Sequence, residues 1–276
     1  MAIHLGGSSR QSLAATSSAL EAELKGLSAD AASTLSNELF AVVNVLGANV
    51  ALRRAITDPA RSAEDKAQLL SSIFGSRLTK SAMAVASKAV AFRWSAPSDL
   101  LIAMEQIAIQ AEASAANSRG QLDQLDDELF TIGRTLAANQ DLRNALNGNP
   151  DAINEKRALV NEVLKSATSS TKVLFSQIVN GLWGRNIEKA LSDFSYATAV
   201  FRNLVVAHVR SAIALNDTQK SELTKALSKQ VGQTVRINVE IDPKVLGGIS
   251  IRFRDELIDG TVISRMAEAS QALAGK

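Results

Sequence analysis

LSNELFAVVNVLGANVALRRA, residues 35–55, and LDDELFTIGRTLAANQDLRNA, residues 125–145, are one segment written twice in the same chain. Leu35, Glu38, Leu39, Phe40, Leu46, Ala48, Asn49, Leu52, Arg53 and Ala55 return in the same order and spacing as Leu125, Glu128, Leu129, Phe130, Leu136, Ala138, Asn139, Leu142, Arg143 and Ala145. The match runs on through Asp58-Pro59 against Asn149-Pro150, with a slip of one residue in that turn, and then through Lys66 against Lys156 and Leu69 against Leu159. A repeat of this length is one supersecondary unit copied in tandem. The simpler reading is a lengthened scaffold of two similar helical packets rather than two equivalent binding sites, and a repeat that extends reach suits a spacer.

Outward from this segment, apolar residues recur at helical spacing from about residue 8 to about residue 201, as in Leu13, Leu20 and Leu24, or Phe175, Ile178, Val179 and Leu182. Turn signals at Asp58-Pro59, Pro97-Ser98-Asp99, Ser118-Arg119-Gly120 and Gly148-Asn149-Pro150 mark the corners of a bundle, because a residue before proline is pushed out of the helical basin. After Leu204 the period falls to two. Val235, Ile237, Val239 and Ile241 alternate with polar residues, as do Ile249, Ile251 and Phe253, giving two strands with one buried face each. Residues 204–213 form a third candidate strand. Asn216 with Gln219 resembles a capping box before a helix carrying Leu223, Ala226 and Leu227, and a last helix is expected over about 262–274. The fold class is therefore mainly α: an all-α helical region, residues 1–203, holding duplicated units at about 35–118 and 125–203, followed by a small α+β C-terminal domain, residues 204–276.

Composition narrows the chemistry. At 276 residues and 46% hydrophobic content the chain can bury two cores. Thirty Lys plus Arg against 28 Asp plus Glu leave none of the basic excess that draws a surface to nucleic acid. With no Cys there is no disulfide, thiolate ligand or Cys nucleophile. No stretch approaches the ~20 apolar residues that span a bilayer, so direct membrane insertion is not expected. His4 and His208 share no metal-binding spacing, no Ser sits in a nucleophile elbow, and neither Gly6-Gly7 nor Gly247-Gly248 continues into a phosphate-binding loop. These glycines read as a flexible leader and a strand-entry turn, Arg53-Arg54 as a solvated helix face, and Trp94 and Trp183 as packing residues near turns. No catalytic, metal or cofactor site is expected.

The segment over residues 240–255, containing Gly247, Gly248, Arg252 and Asp255, followed by Asp259-Gly260 and Arg265, resembles the C-terminal signature of the ATP synthase delta subunit family, the bacterial relatives of the oligomycin-sensitivity-conferring protein. Residues 129–164 resemble the middle helices of that family's N-terminal bundle, while about 35–125 is a surplus copy as in lengthened bacterial forms. At Arg254 the family commonly has Gly, and its Tyr-Ala of the first helix is here Leu13-Ala14. The resemblance implies a non-catalytic stator of the peripheral stalk that supports proton-driven ATP synthesis. It would bind the N-terminal helices of the alpha subunits and the membrane-anchored b subunits at the cytoplasmic face of the cell membrane. A groove between the first helix and the helix of Phe175, with Leu13, Ala14, Phe175, Ile178, Val179 and Leu182, would take an alpha-subunit helix. The alternative is a free-standing helical-repeat adaptor binding amphipathic helices, with an accidental C-terminal likeness; a further rival is a transferase or hydrolase with a closed polar pocket of titratable groups.

Overall fold

The tandem repeat of the sequence becomes a tandem repeat of helices. After α1 (Gly7–Leu24), packet A comprises α2 (Ala29–Ala48), α3 (Val50–Thr57), α4 (Ala63–Phe74), α5 (Lys80–Ala91) and α6 (Pro97–Ser118). Packet B repeats the order as α7 (Leu122–Ala138), α8 (Gln140–Asn147), α9 (Ile153–Val163), α10 (Ser169–Asn180) and α11 (Ile187–Val205). The computed structural model describes residues 5–148, 152–231, 235–242, 245, 248–253 and 256–259. It separates into two compact units, Met1–Ala199 and Val200–Lys276.

The residues retained in both copies are those that close the corners of the packet. Asn49 ends α2 and caps α3, its Oδ1 accepting from Leu52 N–H at 3.0 Å, and Asn139 does the same for Leu142 N–H at 3.0 Å. Each such cap is worth about 1 kcal/mol. Arg53 then reaches back, its Nη1 donating to the carbonyls of Leu46 at 2.7 Å and Gly47 at 3.0 Å, and Arg143 repeats this on Leu136 at 3.0 Å and Ala137 at 2.8 Å. These carbonyls lie in the last turn of a helix, where intrahelical donors run out and a cation is also favoured by the helix dipole. Arg53 is thus a helix cap and not the solvated face expected from its neighbours in sequence. Glu38 spans its packet to accept from Thr79 N–H at 2.8 Å and Oγ1 at 2.7 Å, at the start of α5. Glu128 does so for Thr168 N–H at 3.1 Å and Oγ1 at 2.7 Å, at the start of α10. Lys156 is buried, with Nζ donating to Gly148 O at 3.0 Å, and Lys66 is buried likewise.

Between these corners the apolar periodicity does what it predicts. Leu35, Leu39, Val42 and Leu46 of α2 are buried with Ile56, Leu70, Phe74 and Val85, and Leu125, Leu129, Ile132 and Leu136 of α7 with Leu146, Val160 and Leu174. Each fully buried side chain of this size contributes roughly 1.5–3 kcal/mol. Gly6-Gly7 is no leader: α1 begins at Gly7, and a Cβ at Gly6 would stand 2.4 Å from Ser95 Oγ. Three serines stitch this start to the α5–α6 corner. Ser9 Oγ accepts from Ser95 N–H at 2.8 Å and donates to Asp99 at 2.7 Å, Ser12 Oγ donates to Arg93 O at 2.6 Å, and Ser8 pairs with Ser95 at 2.7 Å.

In the second unit β1 (Val206–Ser211), α12 (Asp217–Val231), β2 (Arg236–Ile241), β3 (Ile249–Phe253) and β4 (Glu256–Asp259) build a four-stranded sheet in the order β2-β1-β3-β4. β1 and β2 are parallel, and β1–β3 and β3–β4 are antiparallel. α12 is the crossover that a parallel pair requires. It opens on a full capping box, Asn216 N–H to Gln219 Oε1 at 3.0 Å and Gln219 N–H to Asn216 Oδ1 at 2.8 Å. Leu223 and Leu227 lie over Ala207, Val209, Val235 and Ile251 as this unit's core. Two expectations change. Residues 256–259 add a fourth strand by pairing Phe253 with Glu256, and Ile241 at the end of β2 is 56% exposed. The expected helix over 262–274, together with His4, Gly247, Asp255, Gly260 and Arg265, lies outside the described residues.

Candidate functional site

α6 belongs to both packets. It closes packet A against α2, α3 and α5, and it meets α7 and α10 of packet B as α1 meets α5 in packet A. Burial records this double use: α1 buries 5 of its 18 residues, all on one face, whereas α6 buries 16 of 22. A helix covered all round must satisfy its polar groups inside the protein, and α6 does so across the boundary between the packets. Glu112, fully buried, accepts from Ser33 Oγ of α2 at 2.7 Å and from Ser170 Oγ of α10 at 2.7 Å. Arg119 bridges Asp30 at 2.8 Å and lies 3.8 Å from Glu112. Glu105 is held in a two-pronged pair by Arg185, at 2.7 and 2.8 Å, and Arg185 also meets Asp193 at 3.2 Å. Burial pushes the Glu105 carboxyl above its ordinary value and outweighs the guanidinium beside it, while the same carboxylates hold Arg185 firmly protonated despite its own burial. These are bolts between packets.

The residues expected to line a partner groove are not all at the surface. On α1, Leu13 is half-buried and Ala14 exposed. On α10, Phe175, Ile178 and Val179 are 2%, 0% and 6% exposed, and Leu182, just beyond that helix, is half-buried. α1 packs on α5 and α6, and α10 packs on α9, α6, α7 and α2. The helical partner of α1 is therefore α5. The duplicated spacing hides this, because α5 and α10 are copies of one another and α10 carries the bulkier apolar residues. Phe175 also forms part of the wall of a cavity of about 300 Å³ within packet B, with Ile132, Leu136, Leu146, Val160 and Leu164. At its rim burial raises the Glu128 carboxyl, but donors from Thr171, Thr168 and Gln124 outweigh this and hold it below the ordinary carboxylate value. Its oxygens are committed to helix capping and not to a reaction.

Trp94 is buried and donates Nε1–H to Ala89 O at 2.8 Å. Trp183 sits at φ 50°, outside the usual range for its type, with its ring against Gly47 and Gly181, where a Cβ would come within 2.7 and 2.4 Å. It joins packet B to α2 of packet A, a role that position near a turn did not distinguish from core. In the second unit Gly248 has φ 78°, as a strand-entry turn requires. By register Arg252 of β3 lies between His208 and Leu257, and Asp259 opposite Ser250. Among the described residues no three metal-ligating side chains converge, and no single helix is long and apolar enough to cross a membrane.

Comparison with known proteins gives relatives that match nearly the whole chain. Residues 110–273 match the family model of the ATP synthase delta (OSCP) subunit. ATP synthase subunit delta of Streptomyces coelicolor is 40% identical over 97% of this chain and 98% of its own length. That of Streptomyces griseus is 38% identical over 98% and 100%, and that of Thermobifida fusca 38% over 88% and 90%. Because the likeness extends through both helical packets, an accidental resemblance of the C-terminal strands does not account for it, and the chain belongs to the ATP synthase delta (OSCP) subunit family.

Proposed function

We propose that this delta subunit is the connector of the peripheral stalk. In this reading the helical packets hold N-terminal helices of the alpha subunits, and the C-terminal unit meets the b subunits at the cytoplasmic face of the membrane. The observation that carries the reading is the near full-length likeness to delta subunits of similar length. Delta subunits are non-catalytic, and the buried polar groups of this chain are spent on tying helices together, which suits a part that transmits torque. Load sets a kinetic requirement. A nanomolar contact is worth about 12 kcal/mol and, with association near ~10⁶ M⁻¹s⁻¹, persists for on the order of 10³ s, far longer than one turnover. Burial of an amphipathic helix in a groove reaches that range.

The internal copy supports a location for the groove. α1, which precedes packet A, and α5 correspond to α6, which precedes packet B, and α10, and across α6 and α10 lies α2 of the same chain. The α1–α5 pair is then the place for a partner helix, with Leu13 and Ala14 at its margin and Leu182, Phe175, Ile178 and Val179 belonging to the pair that α2 already covers. Titration calorimetry of the full chain with a peptide of the alpha subunit's N-terminal helix should show binding that Ala14→Asp weakens about tenfold. Binding that Ala14→Asp leaves unchanged would remove the groove assignment.

A further inference from the structure

The two packets pack one corner differently. Leu164, at the end of α9, corresponds to Phe74 at the end of α4, and Ala167 corresponds to Leu78, each of these last two standing just before the threonine that caps the next helix, Thr168 or Thr79. Phe74 and Leu78 are 4% and 9% exposed, so packet A packs this corner with its own side chains. In packet B both are shortened, and bulk returns only on the inner side, where Phe175 stands in place of Ala86. The cavity of about 300 Å³ lies here. Ile132, Leu136, Leu146, Val160, Leu164 and Phe175 give it a buried floor of hydrocarbon side chains, while Thr131, Thr135 and Val163 are exposed, so it opens to solvent between α7 and α9.

We infer that this cavity is a binding site for a small amphiphile, uncharged or cationic, with an apolar body of about two rings and a hydrogen-bond donor at the end that faces the mouth. Volume sets the body. An apolar cavity of about 150 Å³ takes one benzene ring, and this one has about twice that room. A polar group on the floor would find no side-chain partner, so what enters there is hydrocarbon. The rim sets the head. Among the described residues that line the cavity the charged ones are Asp127 and Glu128, both acidic, while Arg134 and Lys165 are neighbours in sequence that do not line it. The Glu128 oxygens are taken by Thr168, Thr171 and Gln124. Asp127 is exposed and has no partner among the described residues, which leaves its carboxylate as the acceptor at the mouth. An anionic head would meet two carboxylates at short range and is disfavoured. This site lies in packet B, apart from the α1–α5 pair, and does not depend on the connector reading.

The test is fluorescence titration of the full chain with N-phenyl-1-naphthylamine, a neutral aromatic amine of this size with one N–H donor, and with its sulfonated counterpart 8-anilinonaphthalene-1-sulfonate. The amine should occupy one saturable site and the sulfonate should bind about tenfold more weakly. Leu164→Phe combined with Ala167→Leu restores the packet A residues, and this filled variant should bind the amine at least about tenfold more weakly without a lower melting temperature. Phe130→Ala, an exposed ring elsewhere on α7, should leave binding unchanged. Because the chain has no Cys, Val163→Cys puts a single thiol at the mouth, and bound amine should slow its reaction with a maleimide. Val163 is 45% exposed, so this measurement decides the matter even where the filled variant fails to fold. The site is overturned by absence of saturable binding, by a sulfonate that binds as well as the amine, by a folded filled variant that binds as wild type does, or by a thiol that the amine leaves unprotected. Loss of binding with Phe130→Ala would place the probe on the outer surface of α7 and reject the site as well.

Discussion

Packets A and B are the same design under two sets of neighbours. The corner devices survive in both: Glu38 and Glu128 on a threonine, Asn49 and Asn139 as caps, Arg53 and Arg143 on helix-end carbonyls. What diverges is the outward ridge, where Phe40 is 2% exposed and Phe130 68%. Residues that make a packet fold alike are held in place by local geometry, and residues that decide what it touches are free to differ once the two copies have different neighbours.

Ile178→Asp sets the upper end of the scale. This side chain is 0% exposed, and a carboxylate placed there has no partner, so the full chain should lose more than about 4 kcal/mol or fail to fold in urea denaturation. A variant that stays folded within about 1 kcal/mol would contradict the packing described. Next comes the pair that distinguishes the packets. Phe40→Ala should cost about 3–5 kcal/mol by removing a buried stacked ring, while Phe130→Ala should stay within about 0.5 kcal/mol. Equal losses would mean that the two ridges are equivalent after all. Arg185→Ala leaves Glu105 buried beside Asp193 without its guanidinium, and about 3 kcal/mol is expected from the same measurement.

Smaller effects probe what the copies share. Asn49→Ala and Asn139→Ala should each cost about 1 kcal/mol and add in the double variant, since the caps have no common partner. The Glu128 carboxyl is held below its ordinary value in the fold, so its contribution is present above that value and is lost as pH falls through the lowered one. Glu128→Gln should therefore flatten the loss of stability on the acid side of about pH 4.5, the ordinary value, and leave its slope near neutrality unchanged. An unaltered acid limb would show that the threonine contacts do not hold the charged form.

Much of this was legible in the sequence because it is periodic. The 35–55 and 125–145 copies, the change of period after Leu204 and the Asn216–Gln219 capping box each specify geometry by spacing alone, and the structure has them. The groove was harder to read. Sequence marks Phe175, Ile178 and Val179 as an apolar stripe, but an apolar stripe looks the same whether another helix of the chain or a partner covers it. That α2 lies over the α6–α10 pair is a matter of tertiary packing between residues far apart in the chain. The buried carboxylates of α6 were missed for the same reason: Glu105 and Glu112 look like solvated charges until Arg185, Ser33 and Ser170 arrive from three other segments. Helix periodicity could have flagged them, since they fall among the Ala and Ile residues that dominate the middle of that helix, over residues 102–116.

The connector role is tested most directly by removing this chain from membranes, measuring ATP synthesis driven by an imposed proton gradient, and then adding the purified chain back. Synthesis should collapse on removal and return with the wild-type chain, while Ala14→Asp restores it only at higher concentration. Synthesis that proceeds at full rate without the chain would contradict the account.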